Sequence, residues 1–190
     1  EDADCDGVLT EDDCDDADAT IQECPNECPT NPFGYWSFDE TSGSQAIDSV
    51  GSNDAISNGA TPFSAGAFNY ARDLGGQSDA QYLDFPTAVG NAAMGAQTLS
   101  FWLRTNSATA SYGRHLFTTS SGMSDKGQYI REHGNYIDWH VTNGSAYCIP
   151  EIRTSPNSLT PNPWHHVALT WDGTNGGQYA IYIDGQLDVS

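Results

Sequence analysis

Asp2, Asp4, Asp6, Gly7 and Asp13 fall on the spacing D-x-D-x-D-G-x5-[DE]. In such a loop, oxygens at positions 1, 3, 5, 7, 9 and 12 converge on a hard divalent cation. Here those positions are Asp2, Asp4, Asp6, the Val8 carbonyl, Thr10 directly or through water, and Asp13. Gly7 stands at position 6, where the chain must turn sharply, and Leu9 at position 8 is apolar, as a residue packed beneath the loop would be. An all-oxygen donor set of this kind suits calcium. Asp15, Asp16 and Asp18 either complete the first site or hold a second ion. The bland alternative is a solvated acidic run, but that reading gives no account of the glycine or of the kept spacing.

These carboxylates sit in a segment that cannot order itself by burial. Residues 1–23 have Val8, Leu9 and Ile21 as their only large apolar side chains, too little apolar surface to offset the entropy of folding. Residues 1–32 hold 12 acidic residues and no Lys or Arg, whereas residues 33–190 hold 14 acidic and 6 basic ones, so the two regions contribute −12 and −8 to the net charge of −20. Without clustered Lys and Arg the chain is not expected to bind nucleic acid or anionic membrane surfaces. No window approaches the ~18 consecutive apolar residues of a membrane span, so no membrane insertion is expected.

Cys5, Cys14, Cys24 and Cys28 crowd into the first 28 residues, while Cys148 stands apart. Such crowding reads as a disulfide-rich element of an oxidising, extracellular or cell-surface compartment. A four-thiolate zinc site is the competing reading, although the C-x8-C and C-x3-C spacings match no common zinc knuckle. Residues 24–32 place three prolines in nine positions and read as a stiff linker. The expected organisation is therefore an acidic calcium-binding segment at 1–23, a Cys/Pro linker at 24–32 and a larger domain at 33–190.

In the larger domain, short β-prone runs alternate with Gly, Asn, Ser, Asp and Pro clusters, the rhythm of an all-β sandwich. Strands are predicted over 33–39, 81–85, 99–105, 129–132, 136–142, 165–171 and 179–184, with no amphipathic helix longer than two turns. Leu99, Phe101 and Leu103 share one face by the two-residue period, which predicts that this face points inward. Trp36, Trp102, Trp139 and Trp171 read mainly as core, with one or two aromatics left to stack on sugar rings. Asn143-Gly144 and Asp184-Gly185 supply the positive backbone angles of tight hairpins, and Asn143-Gly144-Ser145 is also a glycosylation sequon.

Two resemblances follow from these residues. Asp2-Ala3-Asp4-Cys5-Asp6-Gly7 followed by Asp13-Cys14-Asp15-Asp16-Ala17-Asp18 resembles a thrombospondin type 3 repeat over about residues 2–21. That likeness implies calcium binding, a Cys5–Cys14 disulfide and use in tandem stalks. Cys24 and Cys28 could then pair with each other. Closing the Cys5–Cys14 loop in this way contributes roughly 2.5 kcal/mol. The likeness departs from a helix-loop-helix site, which favours a static structural ion over a sensor.

Residues 33–190 resemble a laminin G or concanavalin A-like jelly roll. The stretches carrying this are Gly34-Tyr35-Trp36-Ser37-Phe38-Asp39-Glu40-Thr41-Ser42-Gly43, Ala46-Ile47-Asp48-Ser49, Leu74-Gly75-Gly76 with Gln81-Tyr82-Leu83, and Leu99-Ser100-Phe101-Trp102-Leu103. The most characteristic pair comes last: Trp164-His165-His166-Val167-Ala168-Leu169-Thr170-Trp171-Asp172-Gly173 and Ala180-Ile181-Tyr182-Ile183-Asp184-Gly185-Gln186-Leu187. The resemblance implies several dozen further residues and a closing strand beside the first. The expectation is therefore either a longer polypeptide or a strand donated by a neighbour.

The same resemblance includes glycosidases with an E-x-D-x-E run, and no such run occurs in the sequence. No enzymatic role is expected. His165 and His166 are neighbours on a predicted strand and point to opposite faces, one packed and one exposed. His115, His133 and His140 lack motif spacing. The functional expectation is an extracellular calcium-binding adhesion or structural module contacting protein or matrix. The alternatives are a lectin-like glycan-binding module and a self-assembling filament or surface-layer subunit whose partner is another copy of itself.

Overall fold

The computed structural model describes residues 32–58, 63–74, 82–92, 95–106, 113–119, 126–143 and 147–190. The calcium-loop residues Asp2, Asp4, Asp6, Val8, Thr10, Asp13, Asp15, Asp16 and Asp18, and the cysteines Cys5, Cys14, Cys24 and Cys28, lie outside them. The described elements are β1 (Gln45–Ala46), β2 (Ala55–Asn58), β3 (Phe63–Ala65), β4 (Tyr70–Arg72), β5 (Tyr82–Asp84), a short helix α1 (Thr87–Ala92), β6 (Gln97–Leu103) and β7 (Arg114–Thr118). They continue with β8 (Lys126–Glu132), β9 (Ile137–Asn143), β10 (Tyr147–Arg153), β11 (His165–Trp171), β12 (Tyr179–Ile183) and β13 (Gln186–Val189). Among the described residues no helix is long and apolar enough to cross a membrane.

Two four-stranded antiparallel sheets, ordered β10-β9-β8-β7 and β13-β12-β11-β6, form the sandwich. Strand alternation decides what lies between them. Ile130, Ile137, Trp139, Val141 and Ile152 of the first sheet meet Val167, Leu169, Trp171, Ile181 and Ile183 of the second in one buried cluster. Leu99, Phe101 and Leu103 pack against that cluster, as their spacing predicts. β11 alternates buried and half-buried positions along its whole length, with Val167, Leu169 and Trp171 directly opposite Ile183, Ile181 and Tyr179. The all-β jelly-roll sandwich expected from the sequence is the fold observed.

One polar link crosses this core. The Trp139 indole N–H donates to Gln128 Oε1 at 2.9 Å, and Gln128 exchanges amide hydrogen bonds of 3.1 and 3.3 Å with Gln97. Gln128 is fully buried, so this bonding offsets the desolvation cost of its amide.

The β12–β13 turn is the Asp-Gly hairpin read from the sequence. Asp184 and Gly185 both take positive φ, 51° and 78°, and Ile183 pairs with Gln186 across them, the twist-compatible two-residue turn. The predicted strand at 33–39 does not form. Phe38 sits at φ 61°, which breaks an extended run, and the segment keeps a single bridge, Trp36 to Asp48.

Its Tyr35 amide is satisfied by a side chain instead. Buried Asp48 accepts the amides of Tyr35 (3.0 Å), Val50 (3.1 Å) and Asn53 (3.1 Å). Burial pushes the Asp48 carboxyl up, but the amide donors outweigh it and hold it well below the usual carboxylate range. The Trp36 indole closes the same clasp by donating to Asn53 O at 3.0 Å.

Candidate functional site

The face of β7–β10 turned away from the core is unusually rich in chemistry for a sandwich exterior. Because β8 and β9 place Ile130 opposite Trp139 on the inside, the intervening positions put Tyr129 opposite His140 and Arg131 opposite Asp138 on the outside. His115 of β7 pairs with Arg131, and Arg153 of β10 pairs with Asp138. The result is a cross-strand row, His115–Arg131–Asp138–Arg153, built from four separate strands.

Asp138 organises that row. Its carboxylate is fully buried and accepts Arg131 Nε at 2.8 Å and Nη2 at 2.7 Å, a bidentate pair. His133 Nε2 lies 2.8 Å from the same carboxylate. The hydrogen bond to Asp138 raises the Arg131 pKa further. His133 stacks flat on Tyr136, centroids 4.6 Å apart, and the Arg153 guanidinium lies over the Tyr136 ring at 5.8 Å. Glu151 holds Arg153 through its Nε at 2.6 Å and also through Nη2.

Beside this row runs an aromatic layer. Tyr129 lies 5.7 Å from His115 and 5.0 Å from His140. His140 is 3% exposed, and burial first, then the neighbouring Arg131 charge, pushes its pKa down.

The histidine pair at the start of β11 behaves as its alternation demands. His165 is buried, and its Nδ1 lies 2.7 Å from Asp184 Oδ2. Burial pushes the Asp184 carboxyl up, yet the bond with His165 and the one from the His166 amide leave it lowered. Thr160 Oγ1 is 3.1 Å from His165 Nε2, so the groups stand in the order hydroxyl, imidazole, carboxylate. However, the Thr160 amide N–H donates to that same Nε2 at 3.1 Å. The ring's lone pair is thereby used to tie a loop down, not to draw a proton from the hydroxyl. Among the described residues no three His, Cys, Asp or Glu side chains converge to hold a metal ion.

His166 turns outward and contacts Trp102, centroids 5.3 Å apart. Trp102 is 44% exposed and meets Phe68 edge-on at 5.4 Å. This corrects the core assignment of Trp102: Phe101 and Leu103 take the inward positions, so the residue between them faces out. Further along the same sheet face lies an open cavity of about 860 Å³, lined in part by Thr98, Thr170, Ala180, Tyr182 and Leu187.

A laminin G profile, described as the concanavalin A-like lectin/glucanases superfamily, matches residues 75–190. The chain belongs to this superfamily. Relatives of this concanavalin A-like chain include the sushi, von Willebrand factor type A, EGF and pentraxin domain-containing protein 1 of Rattus norvegicus. It is 30% identical over 95 residues, which are 50% of this chain and 2% of the relative. The Mus musculus protein of the same name is 29% identical over 92 residues, 48% of this chain and 2% of the relative. The chain thus spans about 2% of the length of these curated relatives. No solved structure matches it.

The outer-face row escaped the sequence reading. Neighbours in the row are separated by 7 to 16 positions, and cross-strand neighbours carry no local motif. The available signal was the second alternation on 128–142, polar and aromatic residues opposite an apolar set.

Proposed function

We propose that the chain is an extracellular adhesion or structural module that contacts a protein or glycan through the outer face of β7–β10. The observation that carries this reading is Asp138, buried on the outside of a sheet, where it fixes Arg131 and His133 in place. Groups held before a partner arrives cost less entropy on binding, and Arg and Tyr are the side chains that most often anchor interfaces. The superfamily membership supports the reading, as do relatives whose printed names describe sushi, EGF and pentraxin domains.

The test is binding of the full chain to a panel of matrix proteins and glycans. Tyr136→Ala with Arg153→Ala is expected to weaken the bound partner at least about 10-fold, the effect of removing interface anchors. Equal binding by the double variant, or no binding at all, refutes the assignment.

The N-terminal segment enters the same proposal as a calcium-stiffened connector. The ligands would be Asp2, Asp4, Asp6, the Val8 carbonyl, Thr10 and Asp13, with Asp15, Asp16 and Asp18 extending the site and a Cys5–Cys14 bridge across it. Bound calcium would relieve repulsion among these carboxylates and order a segment that has no core. Calorimetry is expected to show calcium uptake with Kd of roughly 0.1–1 mM, lost in a D6N, D13N variant. An absence of calcium heat well above that range removes the connector from the proposal.

A second reading, glycan binding on the opposite sheet, is favoured by exposed Trp102 with Phe68 beside it, since rings presented this way stack on sugars. In the same panel it requires glycan binding that Trp102→Ala abolishes.

A further inference from the structure

The opposite sheet carries a cluster of its own where β6 ends and β11 begins. Trp102 sits directly across from His166, their rings 5.3 Å apart. Two positions along the same face, the Arg104 guanidinium lies over the Trp164 ring at 5.2 Å. The two strands thus set out a two-by-two array, and Phe68, 73% exposed, borders it edge-on against Trp102.

Arg104 differs from the other arginines in its charge partners. Arg72, Arg114, Arg131 and Arg153 each bond a carboxylate. Among the described arginines Arg104 alone bonds none, although acidic residues outnumber basic ones 26 to 6 in the chain. Its side chain is exposed and Trp164 is half-buried. A ring packed on the face of a guanidinium fixes its position and leaves the in-plane N–H groups for an acceptor. Asp184, the carboxylate at this end of the sheet, is already held by the His165 ring and the His166 amide.

We propose that this array docks an acidic peptide segment of a protein partner: one Asp or Glu carboxylate bonds Arg104, and a neighbouring apolar side chain packs on Trp102 and Phe68. A single cation matches a single carboxylate, whereas a polyanionic chain calls for clustered Lys and Arg. The rings favour an apolar side chain over a sugar. Phe68 stands at 90° and His166 at 56° to Trp102, so the rings make an angular surface and not a flat shelf. The chain's charge of −20 is screened beyond about 8 Å at physiological salt, which leaves the local guanidinium to decide the contact. The site lies on the other sheet from the β7–β10 face and does not rest on the reading of that face.

The experiment titrates the full chain with peptides carrying one Glu beside Leu, Phe or Tyr, with the same peptides carrying Gln, and with neutral and uronate oligosaccharides. The indole N–H NMR signals of Trp102 and Trp164 report the site. The Glu peptides are expected to shift both signals and to bind at least about 10-fold more tightly than their Gln counterparts. Arg104→Gln should erase that difference, and Trp102→Ala should weaken both sets. Equal binding of the two sets by the wild type, or none, overturns the proposal. So does an oligosaccharide that shifts the two indoles while the Glu peptides leave them unmoved. Should Arg104→Gln fail to fold, salt decides: wild-type affinity for the Glu peptides that does not fall as salt is raised also overturns it. Tyr136→Ala with Arg153→Ala is expected to bind the Glu peptides as the wild type does. Loss of binding there would place the contact on the β7–β10 face and overturn this assignment alone.

Discussion

Trp139→Ala is expected to lower the free energy of unfolding by about 3–5 kcal/mol. The indole is 1% exposed at the centre of the inter-sheet cluster, so its removal leaves a large void. It also removes the 2.9 Å bond from the indole to Gln128 Oε1 and keeps the longer one from Gln97. Urea denaturation gives the measurement, with the denaturant slope unchanged if the two-state character survives. Trp102→Ala is the matched control: that ring is nearly half exposed, and the same change there should cost about 1 kcal/mol or less. Equal losses at the two tryptophans would contradict the inside-outside assignment of β6 and β9.

Asp138→Ala is expected to cost about 3 kcal/mol. The change strands Arg131 and His133 without their acceptor, and the penalty comes from the charge left behind more than from the attraction lost. Arg131 keeps 26% of its side chain in solvent, which places the cost at the lower end for a broken ion pair. Removing both partners should then recover much of the loss, because an apolar pair such as Arg131→Met with Asp138→Leu carries no unpaired charge. Double-mutant denaturation tests this directly. Strict additivity of the two single losses would show that the pair contributes nothing as a pair.

What was legible in the sequence follows from how far each signal reaches along the chain. β11 was read at its observed limits because His165 to Trp171 carries an unbroken two-residue period. The Asp184-Gly185 turn was read because two adjacent residues suffice to specify it. By contrast, β10 was missed: it contains Pro150, and its pairing with β9 shifts register twice, so no clean period survives. β2, β3 and β4 are three or four residues long and carry mostly small or polar side chains, too short for any period to emerge. The segment at 33–39 was over-read as a strand because it is rich in β-prone aromatics, whereas the Tyr35 amide bonds the Asp48 carboxylate and a single bridge, Trp36 to Asp48, stands in place of a ladder. Most of the candidate site was invisible for a related reason. Asp138, Arg131, His115 and Arg153 meet only through sheet register, and register is a property of paired strands.

The Gln97–Gln128–Trp139 link bears on how the chain avoids assembling wrongly. Sliding β6 by one residue against β11 would still allow a ladder of main-chain bonds, and the misfolded sheet would bury Trp102 in place of Phe101. It would also carry the Gln97 amide to the opposite face, leaving Gln128 to enter an apolar interior without its reciprocal partner. Two amide groups that satisfy each other in only one alignment act as a proofreading device, accepting the correct strand offset and rejecting its nearest competitor by the cost of an unanswered polar group.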